Sequence, residues 1–176
     1  MTSDPGVEDK WPSWSQDGRT IYFDSWRDAA NQIWKVPAAG GKAVQISPNG
    51  VWRGMPQESP DGKLLYYQRY SEARDAYDSV WRMPVEGGEE IRVIDSIRPI
   101  GGYRVREQGV YYFTPLDEQD RSDICLYEFA TGKTMKILTV EGIVSLYIEA
   151  APDGRTILYP HLDQAGSDLM LVENFR

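Results

Sequence analysis

The sequence predicts an all-β protein built from four consecutive antiparallel sheets of four strands each. A turn-and-strand pattern recurs along the chain with a period of roughly 45 residues. Aromatic and β-branched residues occur in short runs that are bounded by Gly, Pro, Asn and Asp. No run of apolar residues follows the i, i+3, i+4, i+7 spacing of an amphipathic helix. Together these observations favour strands over helices.

A tight turn followed by an aromatic strand recurs in each repeat. The copies are Ser15–Phe23, Ser59–Tyr67 and Ala151–Tyr159, with a less similar one at Arg106–Phe113. Three of the turns contain an Asp-Gly pair, in which Gly adopts a left-handed conformation at little cost and Asp bonds back to nearby amides. In the less similar copy Gln108 replaces Asp. The predicted structural turn residues are Asp17, Gly18, Asp61, Gly62, Asp153 and Gly154.

A second apolar strand follows each turn at a similar offset. These strands are Ile33–Val36, Val80–Met83, Leu126–Phe129 and Leu169–Val172. The strands carry consecutive apolar residues, so both faces of each sheet must be covered. A period of about 45 residues and sheets packed face to face are typical of β-propeller blades. We therefore predict a single propeller region over 1–176, with repeats at about 7–50, 51–96, 97–142 and 143–176, the last without its fourth strand.

The first residues of the chain resemble the end of a blade. Met1-Thr2-Ser3 aligns with Ile46–Pro48 and Leu138–Val140, which end the fourth strands of other repeats. This predicts the C-terminal part of a longer propeller. Two copies could join first repeat to last repeat in a closed two-fold ring, as a homodimer. The alternative is that four blades close alone.

Composition argues against several function classes. The formal net charge of −8 disfavours nucleic-acid and anionic membrane surfaces, and no apolar stretch could span a membrane. A single histidine, His161, and a single cysteine, Cys125, cannot form a histidine metal cluster or an internal disulfide. No G-x-S-x-G elbow is present, and the acidic segment 117–123 lacks the EF-hand pattern. We predict no catalytic residue, no metal and no cofactor.

Candidate binding residues come from the loops. In a propeller, the loops between the second and third strands and those between blades share one end of the ring. Aromatic and Arg residues are the usual anchors of binding surfaces. The predicted ligand-binding residues at that end are Trp26, Trp52, Arg53, Arg98 and His161. The alternative is that they serve only in loop packing and salt bridges.

The Asp-Gly turn, the aromatic strand after it, and Ile33–Val36 with the Gly40-Gly41 turn resemble the WD-like β-propeller repeats of the TolB type. The resemblance covers nearly the whole chain. The closing stretch 167–176 is similar to the end of bacterial regulatory or sensor proteins that carry such propellers. The resemblance implies a non-catalytic scaffold that binds a protein, peptide or small ligand, or self-associates, with the periplasm favoured over the cytoplasm. An accessory or catalytic propeller of a hydrolase or peptidase is the alternative.

Overall fold

The computed structural model describes residues 6–27, 30–70, 78–98, 101–144, 147–163 and 166–173. All regular structure in these ranges is β-strand, arranged in four sheets. No helix within them is long and apolar enough to cross a membrane. The chain divides into two compact units, residues 1–95 and 96–176. The predicted strand end at Met1-Thr2-Ser3 lies outside the described residues.

The first unit contains two sheets whose strands follow each other in chain order. The first sheet consists of β1 (Glu8–Trp14), β2 (Thr20–Arg27), β3 (Ala30–Pro37) and β4 (Val44–Gln45). The second consists of β5 (Arg53–Glu58), β6 (Leu64–Arg69), β7 (Asp78–Pro84) and β8 (Ile91–Ile97). The two sheets share a core made of Tyr22, Ile33, Leu65, Tyr67 and Met83. Burial of this apolar surface away from water stabilises the face-to-face packing of the two sheets.

A β-bulge interrupts the first strand of each sheet in this unit. The register shifts between Lys10 and Ser13 in β1, and between Gly54 and Gln57 in β5. Both bulges contain an X-Pro pair, and the residue before proline has a positive φ: 52° at Trp11 and 58° at Met55. Bulky residues rarely adopt this left-handed conformation. Each bulge bends its strand. A bulge also accommodates proline, which has no amide hydrogen to donate to the strand ladder.

The second unit also contains two sheets. The first consists of β9 (Tyr103–Arg106), β10 (Gly109–Phe113), β11 (Arg121–Glu128) and β12 (Thr134–Glu141). The second consists of β13 (Ile143–Val144), β14 (Glu149–Ala150), β15 (Thr156–Asp163) and β16 (Gly166–Glu173). Because β13 and β14 both pair with the same edge of β15, they are two pieces of one strand position. Within the described ranges, β16 pairs with β15 alone.

The second unit has its own core, and the first hairpin of its first sheet has a two-residue loop. The core residues are Tyr111, Phe113, Ile124, Leu126, Val140, Ile148, Ala150, Ile157 and Tyr159. Every residue of β10 is buried, as consecutive apolar residues predict.

Arg106 pairs directly with Gly109, so Glu107 and Gln108 alone form the loop. This shorter loop explains why the copy lacks the Asp-Gly pair.

The three Asp-Gly turns close by the same hydrogen bonds. The glycine amide donates to the carbonyl three residues earlier: Gly18 to Ser15 (3.0 Å), Gly62 to Ser59 (2.9 Å) and Gly154 to Ala151 (2.9 Å). The Ser15 hydroxyl donates to Asp17 Oδ1 at 2.7 Å, and the Arg19 amide donates to the same oxygen at 2.9 Å. These bonds hold the pKa of Asp17 below its ordinary value. The three glycines have φ between 67° and 71°.

Candidate binding site

An exposed pair of tryptophans lies where the end of β2 meets the start of β5. The ring centroids of Trp26 and Trp52 are 4.7 Å apart, and the ring planes cross at 85°. This edge-to-face geometry is one that aromatic pairs prefer. Each of the two residues is 42% exposed. The pair therefore connects the first two sheets and still presents ring surface to solvent.

The backbone on both sides of the Trp52 side chain is fixed by hydrogen bonds. The Val51 carbonyl accepts from Gln32 Nε2 at 3.2 Å and from an Arg53 guanidinium nitrogen at 2.7 Å. The Trp52 carbonyl accepts from the Tyr70 amide at 3.1 Å. Trp52 is thus held by bonds to β3, to β5 and to the residue after β6.

The buried side chain of Arg53 supports the loop that carries Trp52 from the protein interior. Predicted as a ligand contact, it is only 2% exposed. Its guanidinium makes two bonds to the Glu90 carboxylate, at 2.6 and 2.7 Å, and donates to the Pro48 carbonyl at 2.9 Å. The structure therefore places Arg53 behind Trp52, where it positions the loop, and not on the exposed surface.

Glu90 is the carboxylate that pairs with the buried Arg53 guanidinium. Burial raises the pKa of Glu90, but hydrogen bonds from Arg53 and the Tyr67 hydroxyl outweigh that effect and hold the pKa below its ordinary value. Glu90 is therefore a carboxylate across the neutral range, paired with a buried guanidinium. Sequence reasoning missed Glu90, since an acidic residue beside the turn before β8 carries no local signal of burial.

The strand end that carries Trp26 is fixed through Asp24. This carboxylate is fully buried and accepts hydrogen bonds from the Asn31 side-chain amide and, at 3.4 Å, from the Met55 amide. Burial raises the pKa of Asp24 to about 6. Asp24 thereby ties β2 to β3 and to the bulge of β5. It too was missed, because its partners come from elsewhere in the chain.

Two charged side chains lie beside Trp26 on the same face of the first sheet. Glu8 is directly opposite Trp26 in the β1–β2 ladder, and Lys10 is opposite Asp24. Lys10 Nζ lies 2.8 Å from Glu8 Oε1, and both side chains are largely exposed. This ion pair is a surface interaction, so its strength is small.

The other two predicted binding residues belong to the second unit. His161 lies on β15, with Nε2 at 2.7 Å from the Glu141 carbonyl. The Arg98 amide donates to the Phe113 carbonyl at 3.0 Å. Both residues are half-buried. That they share a surface with the tryptophan pair stays a prediction.

The described residues contain no group of three or more side chains placed to hold a metal ion. Cys125 is buried, and burial raises the pKa of its thiol.

Comparison with known proteins gives one sequence relative. No protein-family model matches the chain. The uncharacterized protein Atu1656 of Agrobacterium fabrum is 33% identical over an alignment of 79 residues, and the match covers 40% of this chain and 27% of that protein. The chain thus spans about a quarter of the length of this relative.

Solved structures give clearer matches. TolB from Acinetobacter baumannii superposes with a TM-score of 0.76 at 13% identity, over 98% of this chain and 42% of its own. A putative TolB from Agrobacterium tumefaciens gives 0.71 at 17% identity, over 94% of this chain and 58% of its own. The chain has the TolB-like β-propeller fold. Its four sheets are therefore propeller blades, as the repeat period predicts.

An enzyme shares this fold. The oligogalacturonate lyase from Vibrio parahaemolyticus gives a TM-score of 0.67 at 13% identity, over 96% of this chain and 54% of its own. The chain thus spans about half the length of these three structures. At such identities the similarity extends to the fold alone.

Proposed function

We propose that this chain is a non-catalytic β-propeller scaffold that binds a protein or peptide, within a larger bacterial sensor or regulator. The Trp26–Trp52 pair carries the proposal, because exposed tryptophans are frequent anchors of protein interfaces. The buried bonds of Arg53 and Asp24 add support. A surface that is already ordered loses little conformational entropy on binding.

The alternative is an accessory or catalytic propeller of a hydrolase or peptidase. The fold does not decide between the two, since the same fold serves a lyase and TolB. The contacts of His161 favour the non-catalytic proposal. Its Nε2 is engaged by a backbone carbonyl, whereas a catalytic base hydrogen-bonds to a nucleophile.

Peptide selection tests the binding function. Peptides selected from a phage-displayed library against the chain should lose most of their affinity for the Trp26→Ala/Trp52→Ala double variant, at least tenfold. Trp14→Ala is the matched control, because Trp14 is also exposed, at 62%, and lies outside the pair. Thermal melts verify folding of each variant. Equal binding by parent and double variant would contradict the proposal.

Turnover assays test the enzyme alternative. We expect the purified chain to leave oligogalacturonate and chromogenic peptides unchanged. Turnover that disappears in His161→Ala would support the enzyme and count against the scaffold.

A further inference from the structure

An exposed carboxylate, Glu8, lies beside the tryptophan pair. Glu8 lies directly opposite Trp26 in the ladder, and such residues project from the same face with Cβ atoms about 5 Å apart. The Glu8 side chain is 67% exposed. The whole chain carries a net charge of −8, and such a field attracts positively charged partners.

The two indole rings form a corner whose shape suits a cation. With planes at 85° and centroids 4.7 Å apart, the edge of one ring meets the face of the other. The two ring faces therefore stand at right angles. A guanidinium or ammonium group over the face of a tryptophan is attracted by the electron density of the ring.

We propose that the corner formed by Trp26 and Trp52, with Glu8 beside it, binds an arginine or lysine side chain of the partner peptide. The inference rests on the proposed peptide-binding function and names the chemistry of the residue that is recognised. The carboxylate supplies charge complementarity, and the rings supply the contact surface.

Among the described residues, two nearby arginines, Arg53 and Arg27, are engaged away from the corner. The Arg53 guanidinium is buried against Glu90. The Arg27 guanidinium lies 4.5 Å from the centroid of the Trp34 ring, on the other face of β2 from Trp26, because successive side chains of a strand alternate.

Lys10 is the competing cation. It pairs with Glu8 at 2.8 Å, but its side chain is 48% exposed. Exposed ion pairs of this kind are weak and exchange readily. An incoming guanidinium can therefore displace Lys10 from Glu8. Removal of the Lys10 charge should then strengthen binding of a cationic peptide.

The test follows the indole N–H signals of Trp26 and Trp52 by NMR, assigned with single Trp→Phe variants. One probe is a short Gly-flanked arginine peptide, and its control contains citrulline, a neutral group of the same shape. The arginine peptide should shift both signals saturably, with at least threefold higher affinity than the citrulline peptide. A lysine peptide paired with its acetyl-lysine counterpart should behave alike.

Variants of the corner make the test specific. Glu8→Gln should weaken binding of the arginine peptide at least threefold, and Lys10→Met should strengthen it. Trp14→Phe should leave it unchanged. Equal affinities of the arginine and citrulline peptides, or an unaltered affinity in Glu8→Gln, would overturn the inference.

The two proposals fail in different ways. Neutral selected peptides that require Trp26 and Trp52, together with arginine peptides that do not bind there, would overturn the cation inference and leave the peptide-binding function standing. If no peptide of either kind perturbs the pair, both proposals are wrong.

Discussion

At the residue scale, two buried charged side chains of the first unit, Arg53 and Asp24, differ in whether they are hydrogen-bonded to a partner of opposite charge. Arg53 is buried with a carboxylate partner, and its charge is satisfied by Glu90 and by backbone carbonyls. Asp24 is buried with an amide side chain and a backbone amide as partners, neither of which carries a charge. The charge of Lys10 lowers the pKa of Asp24, but burial raises that pKa by more and favours the protonated form. Asp24 therefore makes stability depend on pH.

We expect the contribution of Asp24 to the free energy of unfolding to fall as pH rises from about 4 to 6. The folded pKa of Asp24 is about 6 against an ordinary value of 3.8, so in this window the folded protein binds more protons than the unfolded chain. The contribution of one such group approaches about 1.4 kcal/mol per pH unit. Below the ordinary value both states are protonated, and the dependence disappears.

Urea unfolding of the parent and of Asp24→Asn at matched pH values measures this contribution. Subtracting the two curves removes the titration of the other carboxylates, including Glu90, whose lowered pKa acts in the opposite direction. The difference should change across the window and level off outside it. A difference that is constant from pH 4 to 7 would refute the assignment.

At the element scale, the same turn has different surroundings in different blades. A Cβ added at Gly18 or Gly62 would meet nothing within 4 Å. A Cβ at Gly154 would lie 2.8 Å from the Tyr111 hydroxyl oxygen and 3.0 Å from Gln108. The conformational requirement for glycine is shared by all three turns, whereas the steric requirement belongs to Gly154 alone among them.

Alanine at these glycines should therefore destabilise the protein unequally. Gly18→Ala and Gly62→Ala should each cost about 1–2 kcal/mol, the price of a left-handed non-glycine residue. Gly154→Ala should cost at least about 1 kcal/mol more, because of overpacking. Chemical denaturation gives the three values.

The Tyr111→Phe background provides the control. Without the hydroxyl, the extra cost at Gly154 should shrink, while the cost at Gly62 should stay the same. Equal costs at Gly154 and Gly62 in the parent would show that Tyr111 and Gln108 yield without penalty.

At the scale of the whole molecule, the outer edge of β16 offers a surface for association. Within the described ranges it pairs with no strand, and Met170 and Leu171 on it are 41% and 54% exposed. Unpaired strand edges with apolar side chains tend to pair with other chains. Self-association is our proposal for this edge.

Light scattering after size exclusion should give a mass that rises above the 20.1 kDa of one chain as concentration increases. Leu171→Lys should reduce this association, because a lysine on an edge strand opposes pairing. Leu162→Lys is the control, since Leu162 is 47% exposed on β15, which pairs with strands on both sides. A mass fixed at 20.1 kDa over the whole series would exclude association through this edge.

The sequence by itself determined the repeat period, the Asp-Gly turns and the assignment to β-propeller blades. Turn chemistry depends on residues a few positions apart, as in the bond from Ser15 to Asp17. Strand patterning is likewise local. Sequence could also single out Trp26 and Trp52, because they stand apart from the apolar runs of the strands, although Trp26 lies on strand β2 and not in the predicted loop.

Only the tertiary structure decided what surrounds those tryptophans. The contact between Trp26 and Trp52 joins the first sheet to the second. The ion pair of Arg53 with Glu90, 37 residues apart, joins the first strand of the second sheet to the residue before its last strand. The positive φ of Trp11 and Met55 reflects bulges that no local preference predicts. Burial, pairing and proton affinity depend on neighbours that folding brings together, and local sequence patterns do not reveal which neighbours these are.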